Sequence, residues 1–178
     1  SVAMLKGDRD KLSCIFWAIY KIQFATTVLS LICYLIFVTF LFSGDKTLAY
    51  IDTFYLVSYV LDINWLYFGL EKFKLTVTRN MAFKILSVVC TFVFVKTADD
   101  LWKYTLILSL GTMLSQVYLW MHLFRYVTYK KNSLKEISEQ IKPILILFIP
   151  VIAYSIYKVM DKIMLGSMSS VQQVGLYE

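Results

Sequence analysis

The sequence predicts an all-α fold, a polytopic transmembrane helix bundle. Hydrophobic residues make up 59% of the 178 residues, whereas an ordinary soluble domain is about 45–50% apolar. One small protein core cannot bury this excess of hydrophobic residues, whereas a lipid bilayer can. Residues 22–43 and 104–124 contain no Asp, Glu, Lys or Arg. Each stretch is long enough for a helix to cross a hydrocarbon core of roughly 30 Å, which takes about 20 residues.

Five spans are expected, in residues 12–43, 47–70, 77–95, 101–128 and 142–165. Short polar turns at 44–46 and 96–100 join the first span to the second and the third to the fourth, so these neighbours should run antiparallel. Strands are disfavoured because the apolar runs lack the period-two alternation that a transmembrane barrel needs.

The distribution of Lys and Arg predicts the orientation of the bundle, because cytoplasmic loops carry an excess of these residues. Most of the 18 Lys and Arg residues lie in three groups. One is at the start of the chain, one is in residues 71–84 and includes Lys84, and one is in residues 125–142. Few lie near the 44–46 and 96–100 turns, which are therefore expected to face outward. The net charge of +6 is thus explained by loop anchors, and nucleic-acid binding is not expected.

The polar link at residues 129–141 has two interpretations, which are compatible. Leu134, Ile137 and Ile141 recur at helical spacing, which fits a short amphipathic helix on the inner leaflet with lysines toward anionic lipid. The alternative is a solvated linker between two halves of a protein.

Charged residues at membrane depth are costly and are therefore functional candidates. In the second span, Asp62 and its neighbour Asn64 are expected to face the protein interior in a paired or hydrogen-bonded state. Glu71 and Arg79 lie at the predicted cytoplasmic rim. For these two, helix termination and loop pairing are the simpler alternative to a structural or gating role.

The fifth span carries a second candidate group near its outer end. Lys158 and Lys162 are four residues apart and share a helix face, with Asp161 beside them. They either snorkel to the outer surface or form a cationic lining for a phosphate-bearing substrate. Pro143 is expected in the first turn, and interior Pro150 should kink the helix, as a gating element or as a static bend.

No metal site, cofactor or catalytic residue is predicted. Cys14, Cys33 and Cys90 are far apart and follow neither a metal-binding nor a disulfide pattern. His122 is the only histidine and has no acid near it in the sequence.

Three blocks resemble bacterial flippases that move lipid-linked polysaccharide repeat units, within the multidrug/oligosaccharidyl-lipid/polysaccharide exporter superfamily. The first is residues 9–21, with RDKL, FW and Lys21; the second is DINWLYFGLEKFK at 62–74, followed by Arg79 and Asn80. The third is DKIMLG at 161–166, followed by VGLYE at 174–178. The three blocks occur in the same order and at similar spacing in that family.

The resemblance implies five helices of a twelve-helix, two-lobe flippase. Residues 1–128 would belong to the N-terminal lobe (helices three to six), 129–141 would be the cytoplasmic link between the lobes, and 142–178 would start the C-terminal lobe (helix seven). In such folds helices one, two, seven and eight line the cavity, which makes Lys158, Asp161 and Lys162 the expected substrate-binding residues. The chain, which lacks an initiating Met and a signal peptide and stops just after a membrane segment, is expected to be an internal fragment of a longer protein.

The function expected from this resemblance is translocation of undecaprenyl-diphosphate-linked oligosaccharide across the bacterial cytoplasmic membrane by alternating access, for O-antigen or capsule. The protein would not be an enzyme. Its partners would be that substrate, membrane lipids and a polysaccharide polymerase. The alternatives are a membrane-embedded polymerase or glycosyltransferase, or a drug/cation antiporter of the same fold.

Overall fold

The computed structural model describes residues 8–168 and is helical throughout this part of the chain, with no strand. The helices are α1 (Arg9–Phe40), α2 (Lys46–Val60), α3 (Asn64–Gly69), α4 (Phe73–Phe94), α5 (Leu101–Leu123) and α6 (Leu134–Met168), with one 3-10 turn at Ala98–Asp100. Helices α1, α4, α5 and α6 are long and apolar enough to cross a membrane. The predicted all-α membrane bundle is confirmed.

The predicted second span, 47–70, is not one continuous helix. Helix α2 ends at Val60 and α3 begins at Asn64, so α2 alone is shorter than the about 20 residues that a full crossing needs. The Asp62 carboxylate accepts the backbone N–H of Asn64 at 2.8 Å and its side-chain amide at 2.7 Å. Such a local bond competes with helical hydrogen bonding, which explains why the helix stops here without Pro or Gly.

The turn between α3 and α4 depends on an unusual backbone conformation at Glu71. Its φ of 56° is the only positive φ of a non-glycine residue in the described chain. The left-handed conformation costs a residue with a Cβ roughly 1–2 kcal/mol. The reversal is secured by the Lys72 N–H, which donates to the Tyr67 carbonyl at 2.9 Å.

Helix α6 differs from the predicted link followed by a separate span. Residues 134–141 are helical, but they are the first two turns of one helix that runs through Pro143 and Pro150 to Met168. Pro143 therefore lies well inside the helix, and the expected position in the first turn is wrong. A proline removes one backbone hydrogen bond from a helix. The residues that precede Pro143 include good helix formers such as Leu134 and Glu139, which favour a helix before the proline as well.

The chain divides into two compact units after Ser133. The first contains α1 to α5 and the second contains α6. The division falls inside the predicted inter-lobe link, and the assignment of the two parts to two lobes stays a prediction.

The core of the first unit lies at one end of its helices. Its buried side chains come from the start of α1, from α3 with its flanks, and from the end of α5. Trp17, Tyr20, Trp65 and Trp120 pack around them, with Phe16 and Trp65 stacked at a centroid distance of 5.5 Å. We call this set the aromatic core. Its buried members are Leu12, Phe16, Ile63, Leu66, Tyr67, Leu70, Leu119, Leu123 and Val127.

Candidate functional site

A buried arginine organises the polar interior of the first unit. Arg79, on α4, is only 4% exposed. Its guanidinium donates to the Ser115 carbonyl at 2.9 Å and to Gln116 Oε1 at 3.3 Å on α5. It also donates to Asn64 Oδ1 at 2.8 Å and to Asn80 Oδ1 at 2.6 Å. The planar fork of Arg can serve several acceptors at once, which offsets the cost of burying its charge.

Asn64 connects this arginine to Asp62. Its side-chain amide donates to the Asp62 carboxylate while its carbonyl oxygen accepts from Arg79. The charges of Asp62 and Arg79 therefore interact through an amide rather than through a direct ion pair. The Arg79 Nε atom is buried without a hydrogen-bond partner within residues 8–168. We call Asp62, Asn64, Arg79, Asn80 and Gln116 the polar network.

Side chains from α1 and α5 satisfy the carbonyl groups at the break between α2 and α3. Gln23 donates to the carbonyls of Tyr59 at 3.0 Å and Asp62 at 2.7 Å. Trp120 donates from its indole to the Leu61 carbonyl at 2.9 Å. A broken helix is tolerated at membrane depth only where neighbouring groups replace the lost backbone bonds.

A groove of about 490 Å³ adjoins the network along α4 and α5. We call it the polar groove for its hydrogen-bonding side chains, although apolar ones such as Phe83, Val88 and Leu108 supply much of its surface. Lys84 lines it from the middle of α4, about 16 Å along the helix axis from its first turn. Its assignment to the cytoplasmic side by charge pattern stays a prediction. The groove is also lined by Tyr55, Asn80, Ser87, Thr112, Ser115 and Gln116. Ionisable groups at this depth face a protein interior or a water-filled cavity.

The two helices approach closely beside this groove. A Cβ atom added at Gly111 of α5 would collide with the Ser87 hydroxyl of α4. Glycine at this position lets the backbones pack together, as small residues do in membrane bundles.

The residues singled out from the sequence fall into two groups. Asp62, Asn64 and Arg79 meet in the polar network, and Glu71 forms the left-handed turn nearby. Pro150 and the Lys158, Asp161 and Lys162 group lie on α6, in the second unit. Within α6 the two lysines, four residues apart, share one face.

Sequence reasoning did not single out Gln23 or Gln116. A signal was present, because Gln23 and Gln116 are amides inside the two uncharged apolar stretches. A polar side chain in such a stretch needs a partner within the bundle. No group of three or more His, Cys, Asp or Glu side chains within residues 8–168 could hold a metal ion.

Comparison with known proteins gives the family. The family model described as polysaccharide biosynthesis protein matches residues 5–178. The chain belongs to this family. A protein of Shigella dysenteriae named "Putative O-antigen transporter" is 29% identical over 154 residues, which cover 83% of this chain. The chain spans 38% of the length of that relative. No solved structure matches the chain significantly.

Family membership confirms the resemblance to polysaccharide exporters that the three sequence blocks indicate. A polysaccharide biosynthesis protein with several apolar helices is a multi-pass membrane protein. The relative is named as a transporter, which agrees with the interpretation that the chain is not an enzyme.

Proposed function

We propose that the chain is part of a transporter that moves undecaprenyl-diphosphate-linked oligosaccharide repeat units across the bacterial cytoplasmic membrane. The observation that carries this proposal is the family match over residues 5–178. The Shigella relative, named for O-antigen transport, supports the same cargo class.

The geometry of the first unit fits a saccharide carrier. A glycan crossing a bilayer needs a path lined by hydrogen-bonding groups and sheltered from lipid. The polar groove offers hydroxyl and amide groups and Lys84 within the length of α4 and α5. Transporter sites are commonly built where helices are broken near the membrane interior, and the α2–α3 break borders the polar network.

The cationic group on α6 is our proposed contact for the diphosphate. Lys158 and Lys162 would attract the phosphate oxygens as point charges, with Asp161 orienting them. Pro150 would weaken α6 locally, which suits an element that moves during alternating access. A polysaccharide polymerase is the partner that would take up the transported unit.

Substitution tests the α6 assignment. In the full-length protein, Lys162→Ala should reduce surface polysaccharide several-fold, whereas Lys46→Ala should leave it nearly unchanged. Lys46 is the matched control because it lies at an exposed turn and donates to the Thr39 carbonyl. Surface polysaccharide would be measured at equal protein level, and equal amounts in both variants would contradict the assignment.

Lipid-linked sugars in cells that lack the full-length gene test the function itself. Intact spheroplasts would be treated with an external enzyme that cuts the glycan. Complete repeat units protected from the enzyme are expected, because assembly proceeds and translocation fails. Incomplete units would indicate a glycosyltransferase, and complete units open to the enzyme would indicate a polymerase.

A further inference from the structure

A second groove runs along the first half of α4 and shares the Phe83 side chain with the polar groove. It has a volume of about 540 Å³. Lys72 and Lys74 line one end, and Thr78 and Arg79 line it further along α4. The other lining side chains are apolar or aromatic, and none is acidic. We call it the basic groove. Its main lining residues are Lys72, Lys74, Leu75, Arg79, Phe83 and Tyr118.

The two ends of the basic groove lie at different depths along the helix. Lys72 and Lys74 flank the start of α4, and Phe83 follows about 16 Å further along the axis. A membrane-spanning α4 therefore places the lysines near the headgroups and Phe83 among the acyl chains. Both lysines are exposed.

Two exposed aromatic side chains mark the same end as interfacial. Phe68 is 45% exposed and Phe73 is 51% exposed. Their rings pack at a centroid distance of 5.9 Å across the α3–α4 turn. Exposed aromatic rings beside lysines are typical of protein surfaces that contact the headgroup region.

We propose that the basic groove binds one anionic phospholipid. The phosphate lies between Lys72 and Lys74, and one acyl chain follows α4 over Leu75 toward Phe83 and Tyr118. Charge complementarity selects the lipid, because basic side chains at a membrane surface favour anionic over zwitterionic headgroups. The apolar side chains that line the rest of the groove favour a lipid over free phosphate. This proposal does not depend on the identity of the cargo.

Photocrosslinking in the full-length protein tests the proposal. Benzoylphenylalanine would replace Phe83, and the protein would be placed in nanodiscs of phosphatidylglycerol and phosphatidylcholine in equal parts. Mass spectrometry would identify the crosslinked molecule. We expect phosphatidylglycerol to predominate at least several-fold over phosphatidylcholine.

A paired substitution tests the basic end of the groove. Lys72→Gln with Lys74→Gln should lower the phosphatidylglycerol crosslink by about tenfold or more, since each basic residue near an anionic surface contributes about fivefold. The control is Lys130→Gln with Lys131→Gln, which removes two lysines outside the groove and should leave the yield unchanged.

Three results would overturn the proposal. The two lipids could crosslink equally, which would indicate ordinary annular lipid. The probe could crosslink a peptide of the same protein, which would mean that another helix covers the groove. The two pairs of substitutions could lower the yield equally. If the Phe83 probe prevents folding, the same probe at Tyr118 replaces it.

Discussion

The two ends of the first unit are held together in different ways. At the end that contains the aromatic core, residues far apart in sequence are joined: Tyr67 donates its hydroxyl to the Leu119 carbonyl at 2.8 Å, and Trp17 donates to the Thr128 carbonyl at 2.9 Å. At the opposite end most bonds are local. Asp45 accepts the N–H groups of the first turn of α2, and Asp100 accepts those of its own turn.

This difference predicts unequal stability along the helices. Local bonds fix a turn but do not hold two helices together, whereas the aromatic core ties α1, α3 and α5 to one another. Regions with few buried long-range contacts open at low free-energy cost. We therefore expect the bundle to open first at the 41–45 and 95–100 turns, with the core end as the fixed point.

The largest expected effect comes from the polar network, which borders the aromatic core. Arg79→Met would leave acceptors on Asn64, Asn80, Gln116 and Ser115 without their donor. Each buried acceptor left unsatisfied costs about 1–3 kcal/mol. The full-length protein should lose most of its yield of monodisperse material, measured by size-exclusion chromatography in detergent after mild heating.

Arg79→Lys separates charge from geometry at this position. A lysine keeps the charge but cannot reach four acceptors in one plane, so it should restore little of the lost stability. Wild-type stability in the lysine variant would show that charge alone matters and that the observed bonding is dispensable.

A pair of tyrosines compares the two ends directly. Tyr67→Phe removes a buried hydroxyl from the core end and leaves the Leu119 carbonyl unsatisfied, which should cost about 1–2 kcal/mol. Tyr34→Phe removes the half-buried hydroxyl that donates to the Ala49 carbonyl at 3.0 Å near the other end. It should cost less, about 0.5 kcal/mol. Thermal unfolding in detergent measures both, and equal losses would argue against unequal ends.

The sequence predicted the helices well because length and apolar composition suffice to identify them. The break between α2 and α3 was missed because no Pro or Gly marks it, and the signal is one Asp–Asn hydrogen bond. The position of Lys84 in a groove was not predicted, because loop charges and groove charges look alike in a sequence. Arg79 was noticed, but its burial depends on Ser115 and Gln116, which are distant in the chain.

A smaller effect is expected at the break itself. Gln23→Leu keeps the approximate size but removes the amide that donates to the Tyr59 and Asp62 carbonyls and accepts from Trp65. Two backbone carbonyls would lose a donor, at about 1 kcal/mol in a site that is partly open. Amide hydrogen exchange should rise in residues 59–66. The control Ser30→Ala removes a hydroxyl that bonds only within α1 and should leave this segment unchanged.

The smallest effect is expected at the turn that precedes α5, outside the spans. The Lys103 ammonium and then the backbone N–H groups of Lys96 and Thr97 hold the pKa of Asp100 below its ordinary value of 3.8. A carboxyl whose pKa is lower in the folded state stabilises above the unfolded pKa and loses that contribution as the pH falls through the folded one.

Asp100→Asn should therefore lower the melting temperature slightly at pH 7. The difference from wild type should begin to shrink as the pH falls below about 4, where the unfolded-state carboxyl takes up a proton. It should vanish only below the lowered pKa of folded Asp100, where the folded wild type also loses the charge. Asp99→Asn is the control, since this exposed carboxylate makes no hydrogen bond or ion pair within the described chain. A difference between wild type and Asp100→Asn that is the same at pH 3 and pH 7 would mean that the turn depends on side-chain shape rather than on charge. In that case the hydrogen bonds that Asp100 accepts would stabilise this turn less than its lowered pKa implies.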